Sequence, residues 1–239
     1  PMAMLTGALL WATPVKLVGL CHSVQVCASG LLKGLGMEYD DTIQWKIAGI
    51  NHMAWLLEIT KDGKDLYPEI KRRALARTEK HSDMVRYEIM RQFGYYVTES
   101  SEHNAEYMPY FIKDKYPGLI DQFNIPLDEY PRRCVEQIKK WETMRKDLVE
   151  NHELTHERTH EYAAHIMEAM VTNQPFKFGG NVLNTYGQIA NLPREACVEV
   201  PCIADASGVT STMVGNLPVQ CAALNRTNIN VQLLTIEAA

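Results

Sequence analysis

What this chain lacks narrows its function first. Its six cysteines (Cys21, Cys27, Cys134, Cys197, Cys202 and Cys221) include no Cys-x-x-Cys pair. Scattered over 239 residues, they do not make a secreted disulfide scaffold, and reduced thiols in a cytoplasmic protein are the simpler expectation. No apolar run reaches the roughly 18 residues that span a bilayer. Pro1 to Trp11 is apolar but carries no basic leader, so it is a poor signal peptide and no membrane partner is expected. A net charge of −5 leaves no electrostatic footprint for nucleic acid. Phosphate-binding glycine loops are missing too. Gly34-Leu35-Gly36 lacks the third glycine, Gly179-Gly180 precedes a strand, and Ser207-Gly208 is a turn signal. With no Gly-x-Ser-x-Gly elbow, a serine hydrolase has no support.

What is present reads as an ordinary globular chain, 46% apolar and 22% charged, able to bury a substantial core. Residues 1–13 pattern as a short apolar helix, and Pro14 to Leu20 as a buried strand. Val24 to Leu35 is helical. Trp45–Ile50 and Ala54–Thr60 are strands, the second turning through Lys61 to Lys64 into a hairpin at Asp65–Tyr67. Ser82 can cap a helix that Gly94 closes. Long helices are expected from Asp128 or Tyr130 to about Val149, from Glu157 to Val171, and from Leu217 to Ala239, with strands between 177 and 205. The sum is α+β.

Two segments draw the chemistry together. Cys21-His22-Ser23-Val24 and Asn51-His52 each follow a strand-like run, so a thiolate and an imidazole can meet on one borderline-soft divalent ion, with coordination positions left open for substrate oxygens. By themselves these residues read better as a structural cysteine and a core histidine. His152-Glu153-Leu154-Thr155-His156 matches the zinc-protease HExxH pattern, but its surroundings, Glu150 to Glu161, are polar throughout, and a solvated helix face is the better reading. Asp83, Arg86 and Tyr87 fall at i, i+3 and i+4 of one helix, where a carboxylate or phenol beside a guanidinium suits either a proton-abstracting base or a surface ion pair. Thr98 to His103 is a run of hydrogen-bonding groups suited to a polyhydroxylated ligand or to a capping turn.

Taken in order, VGLCHSVQ at 18–25, AGINHMAW at 48–55, VRYEIMRQFGYYVTESSEH at 85–103, PLDEYPRRCVEQ at 126–137, NLPREACVEVPC at 191–202 and TNINVQ at 227–232 resemble the family-4 glycoside hydrolases. The CHSV tetrad points to their α-galactosidase branch. That family departs from the two-carboxylate scheme of most glycosidases. The resemblance implies NAD-dependent oxidation at C3 of the sugar, loss of the C2 proton, and elimination of the leaving group, with Mn²⁺ polarising the sugar oxygens. It implies Cys21 and His52 as metal ligands, His22 as leaving-group acid, Asn51 as a substrate contact, Asp83 or Tyr87 as the C2 base, Arg86 as its enolate-stabilising neighbour, and His103 with Tyr107 on the sugar side.

By the same resemblance, residues 1–20 are expected to be a remnant of a Rossmann domain. Residues 21–239 are expected to be a lactate/malate-dehydrogenase-like substrate and metal domain, cut at its C-terminus. An internal fragment of this kind is expected to bind no NAD and to be inactive alone, its full-length parent being a homodimer or homotetramer acting on small galactosides. An α-glucosidase or α-glucuronidase of the same family, or a malate/lactate-dehydrogenase-like oxidoreductase, is the alternative.

Overall fold

A computed structural model describes residues 2–151 and 161–239. Helix α1 (Met2–Ala12) leads through an irregular segment to α2 (His22–Gly34). Strands β1 (Ile43–Ile50), β2 (Met53–Lys61) and β3 (Lys64–Asp65) follow, then α3 (Tyr67–Ala76), α4 (Met84–Phe93), the short β4 (Tyr96–Val97), α5 (Ser101–Tyr107) and α6 (Gly118–Gln122). The exposed α7 (Glu129–Glu150) and then α8 (Ala163–Thr172) precede β5 (Phe176–Leu183), β6 (Cys197–Asp205), β7 (Gly208–Ser211) and the terminal α9 (Val219–Ala238). The strands form one antiparallel sheet in the order β3-β2-β1-β6-β5, with β4 beside β2 and β7 beside β6.

Both faces of this sheet are covered, which is why its strands are nearly continuous in apolar residues rather than strictly alternating. On β2, Ala54 and Leu56 face a cluster built with Val24, Leu31 and Leu32 of α2 and Ile70 of α3, while Trp55 faces a second cluster with Ile166 of α8 and Leu224 and Ile229 of α9. The buried Trp55 indole donates to Asn225 Oδ1 at 3.1 Å, and Asn225 Nδ2 donates to the Met53 carbonyl at 2.7 Å, locking α9 to the sheet.

The architecture is α+β as expected, with several local differences. Residues 14–20 are not a strand. Their backbone pairs with the sheet at a single bridge, Gly19 to Asn181; Pro14 offers no N–H and Val15 is exposed. Helix α1, expected from the sequence, packs on β5, β6 and α9. The hairpin ends at Asp65: its carboxylate accepts the Tyr67 amide at 2.9 Å, and Pro68 in the first turn starts α3 instead. Asp83, not Ser82, is the residue preceding α4, and its carboxylate makes no capping bond. Helix α8 spans Ala163–Thr172 among the described residues. The HExxH motif and residues 157–160 lie outside the described residues.

Candidate metal centre

One row of the sheet positions the centre. Gly19 bridges Asn181, Asn181 pairs with Glu199, Glu199 with Gly49, and Gly49 with Ala54. Ala54 in turn exchanges bonds with Thr98, its N–H donating to the Thr98 hydroxyl at 3.1 Å and its carbonyl accepting the Thr98 N–H at 2.8 Å. Cys21, His52 and Glu99 each sit within three residues of a member of this row. The ladder therefore delivers three distant sequence segments to one place.

Their ligand atoms, the Cys21 thiol, an imidazole nitrogen of His52 and a Glu99 carboxylate oxygen, lie within 4.8 Å of one another. Atoms bonded to one ion at about 2.0–2.3 Å stand no more than roughly 4.6 Å apart, so closure on an ion needs shifts of a few tenths of an ångström. Thiolate, imidazole and carboxylate together form a mixed sulfur, nitrogen and oxygen set that fits a borderline divalent cation and leaves further positions open.

Local structure holds each member. The Tyr162 hydroxyl donates to the Cys21 carbonyl at 2.9 Å, and Cys21 Sγ lies 3.1 Å from the Ser23 hydroxyl. His52 Nε2 is 3.2 Å from Glu99 Oε2, while His52 Nδ1 meets the Tyr107 hydroxyl at 3.0 Å, so the tyrosine fixes the ring and leaves Nε2 facing the carboxylate. Burial, with Glu99 and Glu106 nearby, pushes the Tyr107 phenol up to about 12, keeping it a neutral hydroxyl at physiological pH. His52 (φ 65°) and Glu99 (φ 68°) both occupy the left-handed region that residues with a Cβ rarely adopt. Strain of this kind persists where the surroundings over-determine the conformation, often at functional sites.

The remaining sequence candidates divide. Asn51 is buried in the β1–β2 turn, its Nδ2 has no partner among the described residues, and with His52, Tyr107, Asn228 and Gln232 it lines a cavity of ≈240 Å³. The His103 ring stacks on His52 at 6.0 Å. His22, exposed on the first turn of α2, stands 3.1 Å from Glu161. Asp83 is part of a separate cluster. It accepts from Arg86, from the buried Tyr96 hydroxyl at 2.5 Å and from Ser101 at 3.4 Å, while the Arg86 guanidinium lies 4.5 Å over the Tyr96 ring. Tyr87 packs against His81 and Tyr96 and lines a different cavity, of ≈320 Å³, that holds none of Cys21, His52 and Glu99. The structure thus brings Cys21, His52, Asn51, His103 and Tyr107 together and sets Tyr87 apart.

Glu99 as a third ligand and Glu199 beneath the centre were not singled out from sequence. Glu99 lay within the polar Thr98–His103 run. The signal for Glu199 was a carboxylate at a buried position of an otherwise apolar strand segment, Cys197 to Val200.

The profile of the family 4 glycosyl hydrolase C-terminal domain matches residues 47–239. The chain belongs to that family. Among curated relatives, an α-galactosidase of Bacillus subtilis (strain 168) is 67% identical over the whole chain, which covers 55% of the relative. An α-galactosidase of Rhizobium meliloti (strain 1021) is 31% identical, again over the whole chain and 50% of the relative. The chain thus spans about half the length of these curated relatives. A solved 6-phospho-β-glucosidase of Thermotoga maritima, in a complex with manganese, NAD⁺ and glucose-6-phosphate, superposes over the whole chain and 55% of its own with a TM-score of 0.72 at 18% identity, a likeness of fold.

NAD does not fit the described residues as a site of its own. Every strand ladder is antiparallel, and no parallel strand–helix–strand unit is present among the described residues to cradle a dinucleotide.

Proposed function

We propose that the protein carrying this chain is an α-galactosidase, and that the chain supplies its cation-binding and sugar-facing part. The observation that carries this reading is the convergence of Cys21, His52 and Glu99 within 4.8 Å beside a cavity to which Asn51, Asn228 and Gln232 contribute amide groups. The identity to two α-galactosidases supports the choice of sugar over the glucoside and glucuronide alternatives. A malate- or lactate-dehydrogenase-like activity is set aside, since the chain's family is a glycosidase family.

In this proposal Cys21, His52 and Glu99 hold a divalent cation, manganese in the first instance, which supplies Lewis acidity at the sugar oxygens. Tyr107 keeps the His52 ring oriented. Asn51 presents a buried amide N–H to a sugar hydroxyl. His22, exposed at the rim, protonates the departing glycosidic oxygen. The Asp83–Arg86 pair is the candidate for base and anion-stabilising neighbour. Its carboxylate already accepts three hydrogen bonds, so a positioning role for the pair competes with direct proton abstraction. NAD, when bound by another part of the protein, supplies the hydride acceptor. A cytoplasmic location and a homo-oligomeric assembly belong to the proposal too, the former supported by six free cysteines.

The test is hydrolysis of an aryl α-galactoside by the full-length protein with NAD. Activity should vanish with EDTA, return with Mn²⁺, and be lost in Cys21→Ser and His52→Ala, while the 239-residue chain alone stays inactive. Undiminished activity in EDTA, or in either variant, would overturn the reading.

A further inference from the structure

We propose that Glu199 is a positioning residue of the cation centre: a buried carboxylate, pinned by Asn181 between the segments that carry Cys21 and His52, which strengthens cation binding without ligating the ion. This rests on the reading of Cys21, His52 and Glu99 as a cation centre.

The ladder places it. Glu199 lies in the row between Asn181 and Gly49, so Cys21 is reached on one side, two residues beyond Gly19, and His52 on the other, three beyond Gly49. Its side chain is 0% exposed. Oε1 accepts Asn181 Nδ2 at 2.8 Å, and the same amide reaches the Gly19 carbonyl at 3.3 Å. Oε2 has no partner among the described residues, and neither has Asn181 Oδ1. The row has no slack to let the carboxylate swing away. A Cβ on Gly49 would lie 2.6 Å from backbone atoms of Met53 and Ala54, and one on Gly19 would lie 2.6 Å from the Thr6 hydroxyl and 3.0 Å from Asn181 Cβ.

The groups whose charge acts on Glu199 include Cys21, His52 and Glu99, with Tyr162, Cys197 and Cys202 close enough to feel it in turn. One imidazole faces a thiol and a second carboxylate, so acceptors and potential anions outnumber cations around a carboxylate cut off from water. A buried anion in such company is costly unless a cation compensates it. Glu199 is not among the residues whose ligand atoms converge, so its contribution is through space. A dication held by the three ligands stabilises the Glu199 carboxylate, and by thermodynamic reciprocity the carboxylate strengthens binding of the dication by the same factor.

Equilibrium binding of Mn²⁺ and Co²⁺ to the chain tests this, with the cobalt–thiolate absorption band reporting the ligand set. The wild type is expected to bind both. Glu199→Gln, which keeps the acceptor for Asn181 and removes the charge, should bind about 10–100-fold more weakly, the usual effect of losing a group behind the ligands. Its cobalt band should stay unchanged and its metal-free melting temperature should be no lower than that of the wild type. Wild-type affinity in Glu199→Gln overturns the proposal and leaves the centre standing. A wild type that binds neither metal overturns the centre itself. Should Glu199→Gln fail to fold, Asn181→Ser, which frees the carboxylate while keeping its charge, should still weaken binding severalfold, and unchanged affinity there would equally refute the proposal.

Discussion

Raising the pH from 5 to 9 should destabilise the cation-free protein, chiefly through Glu199. Complete burial, reinforced by the negative charge available at Cys21, pushes this carboxyl up from 4.5 to about 8. An unfolded chain releases the proton near 4.5, whereas the fold retains it to about 8. Between those values the unfolded state binds fewer protons, so stability falls as pH rises. The contribution is fully present below about 4.5 and gone once pH has passed through about 8. At about 1.4 kcal/mol per pH unit, the interval from 4.5 to about 8 sets an upper bound of roughly 5 kcal/mol. Relaxation and water entry around a buried charge reduce such penalties, and a loss of about 2–4 kcal/mol is expected. The assay is urea denaturation in chelator at each pH, wild type against Glu199→Gln, whose amide titrates in neither state. Buried thiols do not confuse the window. Cys27, Cys197, Cys202 and Cys221 are pushed by burial from 9.0 to about 12, so they act mainly from pH 9 upward and alike in both proteins. Parallel stability curves for the two proteins between pH 5 and 9 would refute the reasoning.

Tyr107→Phe removes the hydroxyl that holds His52 Nδ1. Cobalt or manganese affinity should fall about tenfold, while unfolding free energy changes by no more than about 1 kcal/mol, the net worth of one half-buried hydrogen bond; titration of the metal and of urea on the same sample checks both. Asp83→Asn should act in the opposite sense. It leaves Arg86, whose side chain is 19% exposed, without its carboxylate, at a cost of about 2–3 kcal/mol read by thermal denaturation, and metal affinity should stay within about twofold of wild type, since Asp83 is not among the converging ligands.

Legibility in the sequence followed the range of the interactions involved. Helices α2, α4, α7 and α9 and strands β1 and β2 were readable because their apolar periodicity and their turn residues are local. Tyr67 was misplaced because the competition between a hairpin strand and a helix was decided by the Asp65 carboxylate and Pro68 together. Residues 14–20 look like a buried strand by composition, yet pairing is a property of the partner, and Asn181 offers only one bridge. At the centre, Cys21 and His52 were legible only through the ordered segments around them, CHSV at 21–24 and NH at 51–52, that carry the family resemblance. Glu99 and Glu199 were not, since a glutamate's meaning depends on what faces it across the sheet.

The register supplies that meaning. If β6 slipped by one residue against both β5 and β1, Glu199 would project from the opposite face, away from Asn181 and from the centre. The glycines at 19 and 49 then make sense as part of the site rather than as punctuation. Each permits the close approach that seats the Asn181–Glu199 pair, and any side chain at Gly49 would collide with the Met53–Ala54 backbone that carries the His52 turn. The centre is therefore specified by backbone registration as much as by its ligands: the same Cys, His and Glu side chains on a sheet paired one residue out of step would not converge.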